Sequence, residues 1–251
     1  MAHFYLAEEL EDAAVGDPVH LTGTEARHAV TVSCLRVGES IVVGNGRGLV
    51  VTGAITSAEH AELVLVTETV ERVERRGPAV ILAQALAKGD RDELAVQAAT
   101  ELGVDAVIPW SAGRSISRWE GAKIAKGRDR WTAIVREATK QSMRAWIPDV
   151  LDVVTTKQLA AMASAKEPLA EEASIRMLVL EPTAALKLSE LEPDGRDIIL
   201  VVVPEGGIST QELEALASVG ASVVRLGDEV LRTSTAGPAA IAALNVALGR
   251  W

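Results

Sequence analysis

The sequence predicts an α/β protein in which a β-rich N-terminal part precedes a mostly parallel sheet flanked by helices. Three observations carry this. Before about residue 72, short apolar runs are separated by turn residues alone, as in small β-sheet modules. From about residue 79, apolar runs alternate with helical segments, the pattern of parallel strands joined by crossover helices. The run Ile198-Ile-Leu-Val-Val-Val-Pro-Glu-Gly-Gly-Ile208, and then Leu226-Gly-Asp-Glu-Val-Leu-Arg-Thr-Ser-Thr-Ala236, each place a glycine-containing loop after a strand and before a helix. Neighbouring strands that both end this way form the crevice where open α/β sheets bind ligands.

In chain order, Ser40–Val43, Leu49–Ile55 and Ala61–Thr67 read as strands. Gly44-Asn-Gly-Arg-Gly48 resembles part of a dinucleotide loop, but a strand follows it rather than a helix, so Asn45-Gly46 reads as a tight hairpin turn. Thr24–Gly38 is predicted to hold a short helix displaying Arg27, His28 and Arg36. Charged, weakly patterned residues closed by Gly77-Pro78 mark a boundary, giving a first domain over 1–72, a linker over 73–78 and a second domain over 79–251.

Beyond the boundary, Ala79–Leu86 is a strand, 92–102 a helix and Ala106–Trp110 a strand. A longer helix over roughly 127–145 has Trp131, Ile134, Val135, Ala138 and Ser142 on one face and Arg130, Arg136, Lys140 and Arg144 on the other. Strand Leu151–Val154, a helix over 156–164 and strand Met177–Leu180 lead to Ile198–Val203. Ser209 or Thr210, with Glu212 close behind, is placed to cap the next helix. Strand Ser222–Leu226 and an alanine-rich helix over about 237–249 follow.

Net charge is −10, which argues against a protein that coats nucleic acid indiscriminately. The charge is uneven: residues 112–148 hold nine Lys or Arg against three Asp or Glu. That segment is either a solvated helix face or the contact for a localised anionic partner. The lone Cys34 excludes an internal disulfide, suits a reducing cytosol and reads as buried apolar filler. With no basic-then-apolar leader and no apolar run near the roughly twenty residues of a membrane span, a cytoplasmic location is expected.

Several chemistries are missing. There is no Gly-x-x-x-x-Gly-Lys-Ser/Thr, no Gly-x-Ser-x-Gly and no His-Glu-x-x-His, which disfavours phosphate-loop hydrolases, serine hydrolases and zincins. All four histidines (3, 20, 28 and 60) precede the α/β part, so no metal site is expected and no histidine there serves as base. A reaction driven by a cofactor is the chemistry left.

Three strand ends, Leu180-Glu-Pro-Thr183, Val203–Ile208 and Leu226–Ala236, resemble the ligand loops of SPOUT-class S-adenosylmethionine-dependent RNA methyltransferases. More narrowly, the chain resembles the RsmE family, which methylates N3 of a uridine in small-subunit (16S) ribosomal RNA. Arg27-His-Ala-Val with Leu35-Arg-Val-Gly38, Lys88-Gly-Asp-Arg91, Arg114-Ser115 and the pattern from Trp131 to Pro148 extend the resemblance over some 220 residues. It implies a PUA-like β-barrel before a SPOUT domain with a C-terminal trefoil knot, a homodimer, ribosomal RNA or the small subunit as partner, and S-adenosyl-L-methionine as cofactor. Onto this sequence it carries cofactor contacts at Leu180, Glu181, Pro182, Glu205, Gly206, Gly207, Leu226, Gly227, Val230, Leu231, Arg232, Thr235 and Ala236. RNA contacts are implied at Arg27, His28, Arg36, Lys88, Arg91, Arg114, Arg136, Lys140 and Arg144.

The sequence departs from the family pattern at Ser234, where Glu is frequent, and at Asp228-Glu229, where Pro-Arg is frequent, so an acid base at 234 does not carry over. Arg232 is expected to stabilise charge on the uracil, with Gln141 and Arg144 positioning the base. The alternatives are a SPOUT ribose 2′-O-methyltransferase acting on ribosomal or transfer RNA, and a non-catalytic RNA-binding assembly factor.

Overall fold

The computed structural model describes residues 3–164 and 174–251, without the side chain of Ser164. The chain divides into two compact units, residues 1–75 with 139–147, and residues 76–138 with 148–251. The sequence reading places 139–147 wholly in the second domain, whereas this segment counts with the first unit.

In the first unit β1 (Phe4–Leu6), β2 (Pro18–Thr22), β3 (Ser40–Gly44), β4 (Leu49–Glu59) and β5 (Glu62–Arg72) form a sheet ordered β1-β3-β4-β5-β2. All neighbours are antiparallel except β1 and β3. Alternate residues of β2 and β4 point inward, burying Leu21, Ile41, Val51, Ile55, Leu63 and Leu65 in one core, as the period of two requires. Register shifts at Thr52/Gly53 and Ile55/Ser57 interrupt the long β4–β5 ladder and bend it. Helix α1 (Gly23–Arg27) continues as a π-turn, His28–Val32, with Ala26 and Ala29 fully buried.

The link between β3 and β4 is longer than the predicted two-residue turn. Buried Asn45 accepts from the N–H groups of Arg47 (2.7 Å) and Leu49 (3.0 Å) and donates to the carbonyl of Leu10 (3.0 Å). These side-chain bonds add to the backbone bond from the Asn45 N–H to the Leu49 carbonyl at 3.0 Å and fix the loop. Gly46 and Gly48 adopt φ of +71° and +94°, and a Cβ at either would run into Ile147 or Trp146. Trp146 in turn donates to the Val73 carbonyl at 2.7 Å and lies 4.6 Å beneath the Arg75 guanidinium.

The second unit is built on a parallel sheet of β6 (Val80–Ala85), β7 (Ala106–Ser111), β8 (Asp149–Val150), β9 (Val154–Thr155), β10 (Ile175–Leu180), β11 (Asp197–Val202) and β12 (Ser222–Val224). Its order is β12-β10-β11-β6-β7-β8, with β9 also on β7. β6 and β11 are buried along their whole length, as their largely apolar sequences predict. Helices α2 (Arg91–Glu101), α3 (Ala122–Gln141), α4 (Thr156–Ser164) and α5 (Thr210–Ser218) lie between the strands, and α6 (Thr233–Ala247) follows the last of them. A core of Ile81, Ile108, Trp110, Leu159, Met177, Ile199 and Leu216 lies on one face.

Several boundaries differ from expectation. Helix α3 begins at Ala122 and ends at Gln141 rather than spanning 127–145. Gly127 is interior, where a Cβ would collide with Trp119. Met143 turns left-handed (φ +54°), and the N–H of Arg144 reaches back to the Thr139 carbonyl at 3.0 Å. Arg144 therefore follows the helix rather than extending its basic face, while Trp131, Val135 and Ala138 are buried as predicted. The predicted strand 151–154 is split into β8 and β9, which pair with opposite ends of β7. Helix α6 starts four residues before 237 and holds Pro238 inside it, so the Gly-Pro pair is no boundary. Cys34 is exposed, at φ +54° just past the π-turn; it is not core filler, because the chain turns outward there.

Candidate cofactor site

The sheet order sets β12, β10 and β11 side by side, so the loops after Leu180, Val202 and Val224 open at one edge. Between them lies a cavity of about 460 Å3, within the range of small-molecule sites. Of the residues predicted to hold the cofactor, all but Gly206 and Thr235 line it. Gly206 faces elsewhere: a Cβ there would stand 3.1 Å from both Cβ and the carbonyl oxygen of Arg114. The N–H of Thr235 donates to the Arg232 carbonyl at 2.8 Å, closing the first turn of α6.

The lining also includes residues the sequence reading did not assign to the cavity: Arg91, Thr183, Val202, Val203, Pro204, Arg225, Glu229 and Thr233. Arg91, an expected RNA contact, lines the cavity and donates to Glu205 at 2.8 Å. Thr233 and Glu229 lie inside the quoted Leu226–Ala236 motif, so proximity to the glycine loop was the available signal for them.

The second loop is held from outside. Gly207 takes φ +70° and its N–H donates to the Pro204 carbonyl at 2.8 Å, folding Pro204–Gly207 into a tight turn. Ser209 then caps α5 in a capping box with Glu212, resolving the Ser209-or-Thr210 alternative. Oε1 of Glu212 accepts from the N–H of Gly113 and the hydroxyl of Thr156, both at 2.7 Å. Oε2 accepts from the Ser209 N–H (3.2 Å) and hydroxyl (2.7 Å). Burial pushes this carboxyl up, but the bonds from Gly113, Ser209 and Thr156 outweigh it and leave its pKa below the usual range. A depressed carboxyl pKa stabilises the fold above the unfolded value, and that contribution disappears as pH falls through the folded one. Glu212→Gln, with one oxygen left to accept, is expected to cost about 1–3 kcal/mol at neutral pH. Denaturant titrations from pH 7 down to 3 should show that difference shrinking with acid; a pH-independent difference would contradict the carboxylate's role.

The third loop leads into α6. Arg232 occupies the N-cap position with φ −65° and ψ 151°, and its side chain makes no capping bond. It is exposed and lines the cavity, and among the described residues no ion pair engages it. The leading N–H groups of a 15-residue helix therefore meet the cavity wall at Arg232 and Thr233, an end suited to an anionic group such as a carboxylate. Apolar Leu180, Pro182, Val202, Leu226 and Leu231 wall the rest. This donor set fits S-adenosylmethionine: apolar surface for the adenine, carboxylates for its cationic groups and a positive helix end for its carboxylate.

The predicted base-positioning and RNA-contacting residues are distributed over both units. Gln141 is exposed and Arg144 half-buried, both in the first unit. Arg27, Arg36, Lys88 and Arg114 are exposed, and His28 is half-buried with its ring 5.9 Å from Tyr5. Arg114 also donates to the Gly206 carbonyl at 3.2 Å. Three members of the expected basic face are ion-paired: Arg130 with Glu93 at 2.9 Å, Arg136 with Glu137 at 3.3 Å, and Lys140 with Glu25 at 2.9 Å, both of the last pair 9 % exposed. Such burial is tolerated because the charges neutralise each other. Among the described residues no cluster of His, Cys, Asp and Glu could hold a metal, and no helix is long and apolar enough to cross a membrane.

Residues 75–245 match the RNA methyltransferase domain family and residues 21–68 the RNA methyltransferase PUA domain. The ribosomal RNA small subunit methyltransferase E of Mycobacterium bovis is 39 % identical over 100 % of this chain and 94 % of its own length. This chain belongs to the ribosomal RNA small subunit methyltransferase E family. The Bacillus subtilis member is 33 % identical, covering 90 % of this chain and 88 % of its own. The Neisseria gonorrhoeae member, solved bound to S-adenosyl methionine, matches with a TM-score of 0.85 at 29 % identity over 98 % of both chains. The α/β fold with an N-terminal PUA domain is thus that of the methyltransferase E family.

Proposed function

We propose that this protein uses S-adenosylmethionine to methylate N3 of a uridine in small-subunit ribosomal RNA. One observation supports this above the others: the three loops that the sequence marks as ligand loops wall a single cavity in a chain that belongs to the methyltransferase E family. Leu180–Pro182, Glu205, Gly207, Leu226, Gly227, Val230, Leu231 and Ala236 are assigned to holding the cofactor, with Thr235 and Gly206 shaping the loops behind them and Arg232, beside the cofactor, left for the substrate. When bound, the cofactor supplies an electrophilic sulfonium methyl.

The protein's own residues then have to align the acceptor and hold charge. Uracil N3 carries an imide proton, and its loss spreads negative charge over O2 and O4. The Arg232 guanidinium, at the cavity wall and without an ion pair among the described residues, is assigned to that charge, and Gln141 and Arg144 to orienting the base. N3 is hidden in a paired stack, so a single-stranded or flipped uridine is expected. The exposed cations Arg27, Arg36, Lys88 and Arg114 are assigned to the RNA backbone with His28; Arg136 and Lys140 contribute less, being already paired.

The reading includes a homodimer in the cytoplasm, domains over 1–72 and 79–251 joined by 73–78, and a C-terminal trefoil knot. Support for the knot is that the Leu188 N–H donates to the Arg225 carbonyl and the Arg225 N–H to that of Leu186, so the strand leading into the third loop is gripped by the loop after β10.

Incubation with labelled S-adenosylmethionine and small-subunit RNA, followed by mass spectrometry of the nucleosides, is expected to yield 3-methyluridine. A 2′-O-methyl nucleoside would replace this reading with ribose methylation, and cofactor binding without transfer would replace it with an assembly factor.

A further inference from the structure

Strand β6 is buried throughout and apolar except at Gln84 near its carboxyl end. Gln84 is fully buried, and its amide donates to the Thr233 hydroxyl at 2.8 Å and to the Ala85 carbonyl at 3.2 Å. Its Oε1 has no partner among the described residues. A buried amide left half-satisfied in an otherwise apolar strand weakens the fold compared with an apolar residue of the same size, so stability does not account for it. Gln84 does not line the cavity, but Thr233 does, 5 % exposed and directly after Arg232.

Two details give this contact a direction. Because the Thr233 oxygen accepts from Gln84, its own hydrogen is left to be donated elsewhere. Helix α6 is also set close to β6 and β11: a Cβ at Gly237 would stand 3.0 Å from Leu82, 3.2 Å from Val202 and 3.6 Å from Oε1 of Gln84. With no side-chain cap at Arg232, the Gln84–Thr233 bond is a side-chain tie on the first turn of the helix.

We propose that Gln84 is a positioning residue for the cofactor cavity: its buried amide fixes Thr233 so that the threonine hydroxyl donates to an oxygen or nitrogen acceptor of bound S-adenosylmethionine. This rests on the cofactor reading above. Gln84 acts only through Thr233, so the two residues form one unit and their effects overlap.

Calorimetric binding of S-adenosylmethionine and S-adenosylhomocysteine to the full chain tests this, using Gln84→Met, Thr233→Val and the double variant. About tenfold weaker binding is expected for each single variant, with little further loss in the double and equal losses for both ligands, which share every acceptor. A merely structural role predicts lower melting temperatures without ligand and unchanged affinity. Affinity of Gln84→Met within twofold of wild type, additive losses, or a loss confined to one ligand overturns the proposal. Should Gln84→Met not fold, Thr233→Val decides on the same affinity criterion. A wild-type chain that binds neither ligand overturns the cofactor reading and this proposal together.

Discussion

Replacing Arg232 with alanine is expected to lower methyl transfer by about 10²–10³, the scale of losing one preorganised charge-stabilising group, while cofactor affinity stays within a few-fold. The fold has little at stake in this side chain. It is exposed, makes no capping bond and, among the described residues, forms no ion pair. Its backbone angles, φ −65° and ψ 151°, are open to alanine. Loss of function from unfolding is therefore not expected, and thermal melting measured with turnover separates the cases. Single-turnover transfer together with calorimetric cofactor binding checks the assignment. Full turnover in the variant would remove Arg232 from the chemistry, and a loss of binding as large as the loss of rate would move it to the cofactor carboxylate.

Arg250→Met is expected to destabilise the second unit by roughly 3–5 kcal/mol, the penalty for removing one partner of a buried charge pair. The Arg250 side chain is 7 % exposed and pairs with Asp105 at 3.0 Å. It also donates to the carbonyls of Pro78, Arg76 (3.2 Å) and Gly103 (3.4 Å). Asp105 accepts from the Val80 N–H at 2.7 Å as well, so one guanidinium joins the chain end to the starts of β6 and β7. At about 2–4 °C per kcal/mol for a domain of this size, the melting temperature should fall by on the order of 10 °C. A shift within 2 °C by calorimetry would show that solvent replaces these bonds freely.

Much of the fold could be read in the residues. The continuous runs at Val80–Ala85 and Asp197–Val202 are strands because both faces are covered. The Ser209–Glu212 capping box announced α5 in plain spacing. Where the reading slipped, a non-local contact took over a local signal. Gly127 and Gly237 are the expected starts of their helices, yet both lie inside them, with Trp119 and strands β6 and β11 pressed against them. The end of α3 carries no glycine; Met143 turns left-handed instead, and nothing in its spacing marks that.

The site divides in the same way. The motif Leu226–Ala236 and the Pro204–Gly207 turn are local features, and loop chemistry follows from glycine and proline wherever the loops are placed. By itself the sequence therefore determined the strand–helix alternation, the three ligand loops and the family to which they belong. Only the tertiary structure decided that β10 lies between β12 and β11, which brings loops separated by some forty residues to one cavity. It likewise buried Lys140 against Glu25, spending a charge that helical periodicity assigned to the surface. It also set Gln84 against Thr233, 149 positions away. Strand order and buried polar pairs depend on long-range packing and desolvation, which no window of local sequence contains.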